Sequence, residues 1–301
     1  MNSIKPSHRS KLTILLTGAT AGIGRHAALD LARAGHRVFA TGRRVAALEK
    51  LREDEPRIET LVLDVTDAKS IAAASCEIDR ITDGYGVDVL VNNAGYGLVG
   101  PLESVSDADI RAQFETNVFG LMAMTRAFLP RMRERLFGRV INVSSMGGRV
   151  TFPFMGAYNA TKYAVESLSD ALRNEVAPFG VGVVLIEPGA IHTEFADVAM
   201  VTAEKYKGAP SAYSAVLARS DELQKRMMTT AVGPEHVTRA IRKAIEAKHP
   251  SARYVTPWRI YFALTLFKIL PTSWTDRVLR ALLGLNRSLV AGATKIADAV
   301  A

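Results

Sequence analysis

Leu12-Thr13-Ile14-Leu15-Leu16-Thr17-Gly18-Ala19-Thr20-Ala21-Gly22-Ile23-Gly24 reads as a short apolar strand, a glycine-rich turn and the opening of a helix that continues over residues 25–34. Glycines in such a turn allow a tight bend, a close approach of backbone to ligand and close helix packing, while free N–H groups at a helix start attract a pyrophosphate. Strand-to-helix turns also use glycine for conformation alone, so the turn by itself does not establish a nucleotide site. It lacks the Gly-Lys-Ser/Thr ending of a phosphate-hydrolysing P-loop.

The alternation continues outward from this unit. Strand-length apolar runs at residues 12–16, 37–40, 59–63, 87–91, 139–143 and 182–186 are separated by helical patterns at 25–34, 45–53, 68–82, 107–134 and 157–176. Helix-length connections between strands imply right-handed βαβ crossovers, hence an α/β fold with a doubly wound parallel sheet of Rossmann type and helices on both faces. Such sheets bind ligands beyond the carboxyl ends of their strands, where the strand order reverses. Residues 17–24, 42–44, 64, 92–95, 144–148 and 188–193 are therefore expected around one cleft.

Residues 1–11 read as a short, basic, flexible leader and 12–250 as one dinucleotide-binding catalytic domain with a less regular substrate lid at about 195–230. A helix follows Gly233-Pro234 to about residue 248, and 251–301 read as a C-terminal helical extension. The 301 residues are 48% hydrophobic and 23% charged, with no repeat or long Pro/Gly linker, which describes one sizeable core. Cys76 is the lone cysteine; it excludes an intrachain disulfide and fits a reducing, cytoplasmic setting, where it reads as a buried small hydrophobe rather than a nucleophile. No metal site is expected, because no His/Cys/Asp/Glu group has ligand spacing. A net charge of +8 suits nucleic acid, an anionic membrane surface or a phosphorylated cofactor. The arginines are spread along the chain rather than gathered in a block, so no nucleic-acid partner is expected.

The second strand ends Val38-Phe39-Ala40-Thr41-Gly42-Arg43-Arg44. An acidic side chain there would hold the ribose hydroxyls of NAD; glycine followed by two arginines matches a 2′-phosphate and so NADP(H). Arg43 is the expected contact, with Arg44 read as solvated. Asp64, beside Val65 at the third strand end, either accepts a hydrogen bond from adenine or caps the next helix, for which Asp67 is also available.

Tyr158 and Lys162 stand four residues apart, on one side of a helix, where an ammonium would favour phenolate and suit the tyrosine to acid/base work. Such a pair is common on ordinary helices. Ser145 stands thirteen residues earlier, in a strand-end turn that opens into the same cleft, and its hydroxyl could hold a reacting oxygen. At this point the sequence resembles the short-chain dehydrogenase/reductase family over roughly residues 12–195: Gly18-x-x-x-Gly22-x-Gly24, Asn92-Asn93-Ala94-Gly95, Asn117, Ser145, Tyr158/Lys162 and Pro188-Gly189 occur in the family's order. The glycine spacing is closer to the oxidoreductase branch than to the epimerases and dehydratases.

The resemblance implies Tyr158 as proton donor or acceptor, Lys162 lowering its pKa and holding the nicotinamide ribose, Ser145 orienting the reacting oxygen and Asn117 organising water in a proton relay. It implies cofactor contacts at Gly18, Thr20, Gly22, Ile23, Gly24, Arg43, Asp64, Val65, Asn93, Ala94, Gly95, Tyr158, Lys162, Pro188, Gly189, Ile191 and Thr193, with Thr193 on the carboxamide and His192 an ordinary loop residue. A homo-oligomer is implied too. The central region looks similar to the branch handling hydroxysteroids, retinoids and other lipophilic alcohols or ketones, with Phe152, Pro153, Phe154 and Met155 as an apolar lining.

Residues 258–270, WRIYFALTLFKIL, and a basic amphipathic stretch at 276–287 are too short to span a bilayer. Three roles are open to them: lying peripherally at an anionic membrane surface, closing the substrate pocket, or contacting another subunit. Two other functions remain open at this stage, a non-catalytic dinucleotide-binding regulator and a membrane-surface interaction protein on the same fold.

Overall fold

The structure is a computed structural model that describes residues 11–207 and 213–285. The leader expected at 1–11 falls almost wholly outside the described residues, as do 208–212 of the expected lid and 286–301 of the C-terminal segment.

The glycine-turn unit becomes β1 (Thr13–Leu16) and α1 (Gly22–Arg33). There follow β2 (Arg37–Gly42), α2 (Val45–Asp54), β3 (Ile58–Val62), α3 (Ala68–Ile81) and β4 (Val89–Asn92). The second half holds α4 (Asp107–Phe114), α5 (Leu121–Glu134), β5 (Gly138–Val143), α6 (Gly156–Val176) and β6 (Val181–Pro188). After it come α7 (Glu194–Lys207), α8 (Ser214–Leu217), α9 (Ser220–Met228), α10 (Pro234–Glu246), β7 (Arg253–Thr256), α11 (Arg259–Ile269) and α12 (Thr272–Leu283).

All pairings are parallel and the order is β3-β2-β1-β4-β5-β6-β7, so the chain reverses direction across the sheet between β1 and β4. Alternate side chains sort into two cores. Ile14, Leu16, Val89 and Val91 join Ala27 and Leu31 of α1 and Val237 and Ile241 of α10 on one face. Leu15, Phe39, Leu90 and Val140 meet Ile78 of α3, Met124 and Phe128 of α5 and Leu172 of α6 on the other. Burial on both faces explains why the strands read as continuous apolar runs.

Four differences from the sequence reading stand out, the first being that Cys76, expected to be buried, is exposed on α3, whose inward face is Ile71, Ala74 and Ile78. The helix expected at 107–134 is interrupted by a π-helical turn over Glu115–Gly120, an insertion that a 3.6-residue pattern does not reveal. Arg253–Thr256, within the segment expected to be a helical extension, forms the seventh strand beside β6; four residues leave too short a periodic signal. Where it is described, the irregular stretch after residue 195 is mostly helical, as α7, α8 and α9 with short turns beside them.

Candidate active site

The glycine turn lies at the reversal between β1 and β4. Gly18 and Gly22 have φ of +69° and +50°, the left-handed region where a side chain is strained. A Cβ on Gly24 would fall 2.2 Å from the Gly18 carbonyl oxygen, so α1 sits against the turn with no room to spare. The N-cap of α1, Ala21, makes no side-chain cap, and its first turn carries no acidic residue. Its leading N–H groups are thus available to an anion, as a pyrophosphate requires.

The turn is held from beneath. Thr17 Oγ1 accepts from the Asn93 and Ala94 N–H groups at 3.0 and 3.1 Å, and Asn93 Nδ2 donates to the Thr17 and Gly18 carbonyls at 3.0 and 3.2 Å. Asn93, Ala94 and Gly95 line the cleft, but the Asn93 amide is spent on clamping the turn. At the end of β2 a Cβ on Gly42 would meet Thr20 Cγ2 at 2.6 Å, which leaves the charge of this edge to the two arginines. The Arg43 side chain is 73% exposed and 3.7 Å from Asp64. Arg44, read as solvated, is exposed and also donates to the Thr20 carbonyl at 3.0 Å and hydroxyl at 3.2 Å.

Asp64 accepts from the Thr66 N–H and hydroxyl at 2.9 and 2.7 Å, while Asp67 caps α3 by accepting from the Lys69 N–H. Partial burial raises the Asp64 pKa, but the Thr66 donors and Arg43 outweigh it and leave the carboxyl below its usual value. Across the cleft, Thr193 faces Gly22, and the Gly189 N–H donates to the Thr256 carbonyl of β7 at 2.8 Å. Ile23, Val65, Pro188 and Ile191 also line the space.

Tyr158 and Lys162 come one turn apart on α6, with Lys162 Nζ 5.9 Å from the phenol ring centroid. The ammonium donates to the Val143 carbonyl at 2.9 Å. Both side chains are buried, and burial dominates their titration. It pushes the Tyr158 phenol up to about 12 against the opposing hydrogen bond of Ser145, and brings Lys162 down to about 8 against the opposing charge of Glu166. The expected lowering of the Tyr158 pKa by Lys162 is therefore not what the folded chain alone provides.

Ser145 caps the 3₁₀ turn Met146–Gly148, its Oγ accepting from the Gly147 N–H at 3.0 Å. Asn159, which sequence reasoning missed, donates to the Gly147 carbonyl at 2.9 Å and accepts from the Phe152 N–H at 3.0 Å, tying this loop to α6. A helix-interior asparagine beside Tyr158 was the available signal. Asn117 lies in the π-helical turn, buried behind the cleft wall. Its Nδ2 donates to the Tyr96 carbonyl at 3.0 Å and to Thr161 Oγ1 at 3.1 Å, and its Oδ1 accepts from the Tyr96 N–H at 3.2 Å. A Cβ on Gly95 would lie 3.0 Å from Asn117 Oδ1 and 3.9 Å from Lys162 Nζ, so only glycine keeps the gap between those side chains open.

Beneath Ser145 and Lys162 runs a buried ionic network, also missed. Glu187, immediately before Pro188, pairs with Arg149 and Arg253, each at 3.0 Å, and Arg253 reaches Glu166 at 3.1 Å and Asp170 at 2.6 Å. Burial pushes the Glu166 carboxyl up to about 7, with Ser144 and Arg253 opposing and Glu187 adding to the rise.

The lid closes over this floor. Phe195 of α7 packs 5.7 Å, centroid to centroid, from the Tyr158 ring, and the Val99 N–H donates to Thr202 Oγ1 at 3.0 Å. Asp109 of α4 binds Lys205 and, at 2.7 Å, the Tyr206 hydroxyl, and these partners with Ser106 hold its carboxyl down at about 2. The cleft measures about 1290 Å³ and runs from Gly18 past Tyr158 to Phe154, Val198, Met228 and Leu283. That volume exceeds the usual range for one small ligand. No group of metal-binding side chains occurs among the described residues.

A phosphate-ready helix start, a large apolar cleft and a buried Tyr/Lys pair define a dinucleotide-dependent oxidoreductase. A sequence model described as short chain dehydrogenase matches residues 12–202, and the chain belongs to the short-chain dehydrogenase/reductase family, enzymes that act on CH–OH groups with a nicotinamide dinucleotide. Among relatives, 3-ketodihydrosphingosine reductase of Bacteroides thetaiotaomicron is 36% identical over 241 residues, 80% of this chain and 86% of its own length. Human 17-beta-hydroxysteroid dehydrogenase type 1 is 37% identical over 265 residues, 83% of this chain and 79% of its own. A short-chain dehydrogenase of Streptomyces avermitilis superposes with a TM-score of 0.73 at 34% identity, covering 96% of this chain and 98% of that one. Serine dehydrogenase complexed with NADP+ gives a TM-score of 0.70 at 30% identity, over 81% and 94%. A Burkholderia phymatum member bound to NAD gives 0.74 at 26%, over 85% and 92%.

Proposed function

We propose that this protein is an NADP(H)-dependent reductase or dehydrogenase of lipophilic ketones and alcohols, of steroid, retinoid or similar apolar kind, with Tyr158 as acid/base. The observation that carries the reading is the buried Tyr158 phenol, hydrogen-bonded to Ser145 and roofed by Phe195 in a largely apolar cleft. A phenol held up at about 12 is protonated at neutral pH and ready to give its proton to a carbonyl oxygen.

Bound in the cleft, the dinucleotide supplies or accepts the hydride at its nicotinamide. Gly18, Thr20, Gly22, Ile23 and Gly24 would receive the pyrophosphate, Arg43 the 2′-phosphate, Asp64 and Val65 the adenine, and Asn93, Ala94 and Gly95 the adenosine side. Pro188, Gly189, Ile191 and Thr193 would line the nicotinamide. Ser145 orients the substrate oxygen toward Tyr158. Lys162, which donates to the Val143 carbonyl, would hold the nicotinamide ribose and stabilise the phenolate left after transfer, and the gap at Gly95 would let Asn117 and Lys162 share water that restores the proton. NADP(H) is preferred because Gly42 excludes an acidic side chain and two arginines follow it.

The catalytic unit is taken as the sheet from β1 through β7 with its helices, reaching past residue 250, with the lid at about 195–230, working as a homo-oligomer. An apolar substrate draws on the names of the reductase and the steroid dehydrogenase among the relatives. A substrate of that kind dissolves in bilayers, so peripheral membrane contact belongs to the same reading; no described helix is long and apolar enough to cross a membrane. The test follows NADPH oxidation and NADP+ reduction against a panel of apolar ketones and alcohols, repeated with Tyr158→Phe. Turnover is expected to fall by roughly 10²-fold or more, and activity that survives the substitution refutes the proton-transfer role.

A further inference from the structure

The chain has two tryptophans, Trp258 and Trp274, and both stand on the outside of the C-terminal helix pair, 68% and 61% exposed. They belong to stripes. On α11 the exposed large apolar residues Tyr261, Phe262, Leu266 and Ile269 continue from Trp258 at helical spacing, while Leu264 on the opposite side is buried. On α12 the exposed stripe is Trp274, Val278 and Leu282, and Leu279 is buried. Ordinary surface helices put the apolar stripe inward and the charged one outward. Here both helices carry apolar surface on each side.

The charge around these stripes has one sign. From residue 257 to 285 the cations are Arg259, Lys268, Arg277 and Arg280 and the only anion is Asp276. All four cations are exposed, and none forms an ion pair among the described residues. A second copy of this chain docked isologously would bring this basic rim against itself, which like-charge repulsion opposes. Residues 286–301, NRSLVAGATKIADAVA, add Arg287 and Lys295 against Asp298, so they are no better matched. Exposed aromatic rings among unpaired cations match the interfacial zone of an anionic bilayer, where rings sit at headgroup depth and lysine and arginine meet lipid phosphate and carboxylate. At eleven residues, α11 is about 16 Å long, enough to lie in the interface and too short to span it.

The same helices reach the cleft. Leu283 of α12 lines it, next to the outward Leu282, and Ile260 of α11 packs so closely on Gly189 that a Cβ there would meet it at 1.9 Å. We infer that the outer face of α11 and α12 docks on anionic membranes, seating the cleft where an apolar substrate can pass to it from the bilayer. The membrane docking stands on the surface alone; the substrate route rests on the function proposed above.

Because both tryptophans lie on this face, the intrinsic tryptophan emission of the full chain reports on it directly. The test titrates the protein with phosphatidylcholine vesicles, with and without about one part in four of phosphatidylserine, and repeats it with brominated lipid as a depth quencher. Expected are a blue shift and bromine quenching with the anionic vesicles, reversed by salt. Exchanging Lys268 and Arg277 for Gln should weaken partitioning by roughly fivefold per charge, and Phe262→Ser should weaken it without altering lipid-free turnover. Emission already blue-shifted in lipid-free buffer and unmoved by vesicles overturns the inference. Sedimentation would then assign the covered face to a second copy if the shift follows concentration, and a chain ending at residue 285 would assign it to residues 286–301 if truncation abolishes the shift. Emission that stays red-shifted with anionic vesicles also overturns it. Turnover of a water-soluble ketone in lipid-free buffer reads the proposed function independently.

Discussion

Exchanging Arg253 for Met would strip one guanidinium from three carboxylates. Its Nε lies 3.1 Å from Glu166 and 3.0 Å from Glu187, and its Nη2 2.6 Å from Asp170. The Glu187 side chain has no solvent exposure and that of Glu166 only 8%, so neither regains the hydration it would need. Removing one partner of a buried ion pair costs about 3–5 kcal/mol, mostly as the desolvation of the charge left behind. Arg149 keeps its contact with Glu187, and Asp170 is partly exposed and keeps Arg173, which together place the expected loss near 3 kcal/mol.

The loss must depend on pH, and its sign follows from Glu166. A carboxyl raised from 4.5 to about 7 in the folded state holds its proton more tightly folded than unfolded. The associated stability is fully present below the unfolded value and disappears as pH rises through the folded one. Burial raises Glu187 in the same direction. Without Arg253 both carboxyls rise further, so the penalty grows with pH and reaches its full size on the alkaline side. Urea unfolding of wild type and Arg253→Met at about pH 5 and about pH 9 should give a difference near 1 kcal/mol in acid and about 3 kcal/mol in alkali. A difference of the same size at both pH values, or one below about 1 kcal/mol at both, refutes the ionic account of this network.

Arg43→Ala should raise the Kd for NADPH roughly tenfold or more, the worth of a charge-assisted hydrogen bond to phosphate, and leave NADH binding nearly unchanged; equal losses in calorimetry contradict the 2′-phosphate assignment. Lys162→Met should abolish turnover yet stabilise the cofactor-free protein by roughly 1–2 kcal/mol below about pH 8, an effect that fades as pH rises from about 8 to about 10 and is absent above that. The sign follows from a folded lysine pKa brought down to about 8: the fold disfavours the charged form wherever the unfolded lysine is protonated. Denaturant melts across that range decide it, and a destabilised variant at neutral pH is the contrary result.

The relation between sequence and structure is uneven in an instructive way. The dinucleotide half was legible because its signals are local: a glycine that must adopt positive φ, a helix start left without a cap, and strands buried on both faces that read as apolar runs. Tyr158, Lys162 and Ser145 were legible as a constellation once their order and spacing were set beside a known family. Asn117 was legible as a residue but not in its setting, because a π-helical turn leaves no periodic trace. Chain order hides Arg149, Glu166, Glu187 and Arg253, which only the β6–β7 pairing and the packing of α6 bring together.

By itself, then, the sequence determined the α/β class, the positions of the glycine turn and of the Tyr/Lys pair, and the basic edge after β2, since each follows from backbone conformation, periodicity or charge within a few residues. Tertiary structure decided the rest. It committed the Asn93 amide to clamping the turn, tied Arg44 to Thr20, placed burial ahead of Lys162 in the titration of Tyr158, and left the aromatic side of α11 facing outward. Desolvation and partner choice depend on what packs against a group from distant parts of the chain, and no local pattern carries that information.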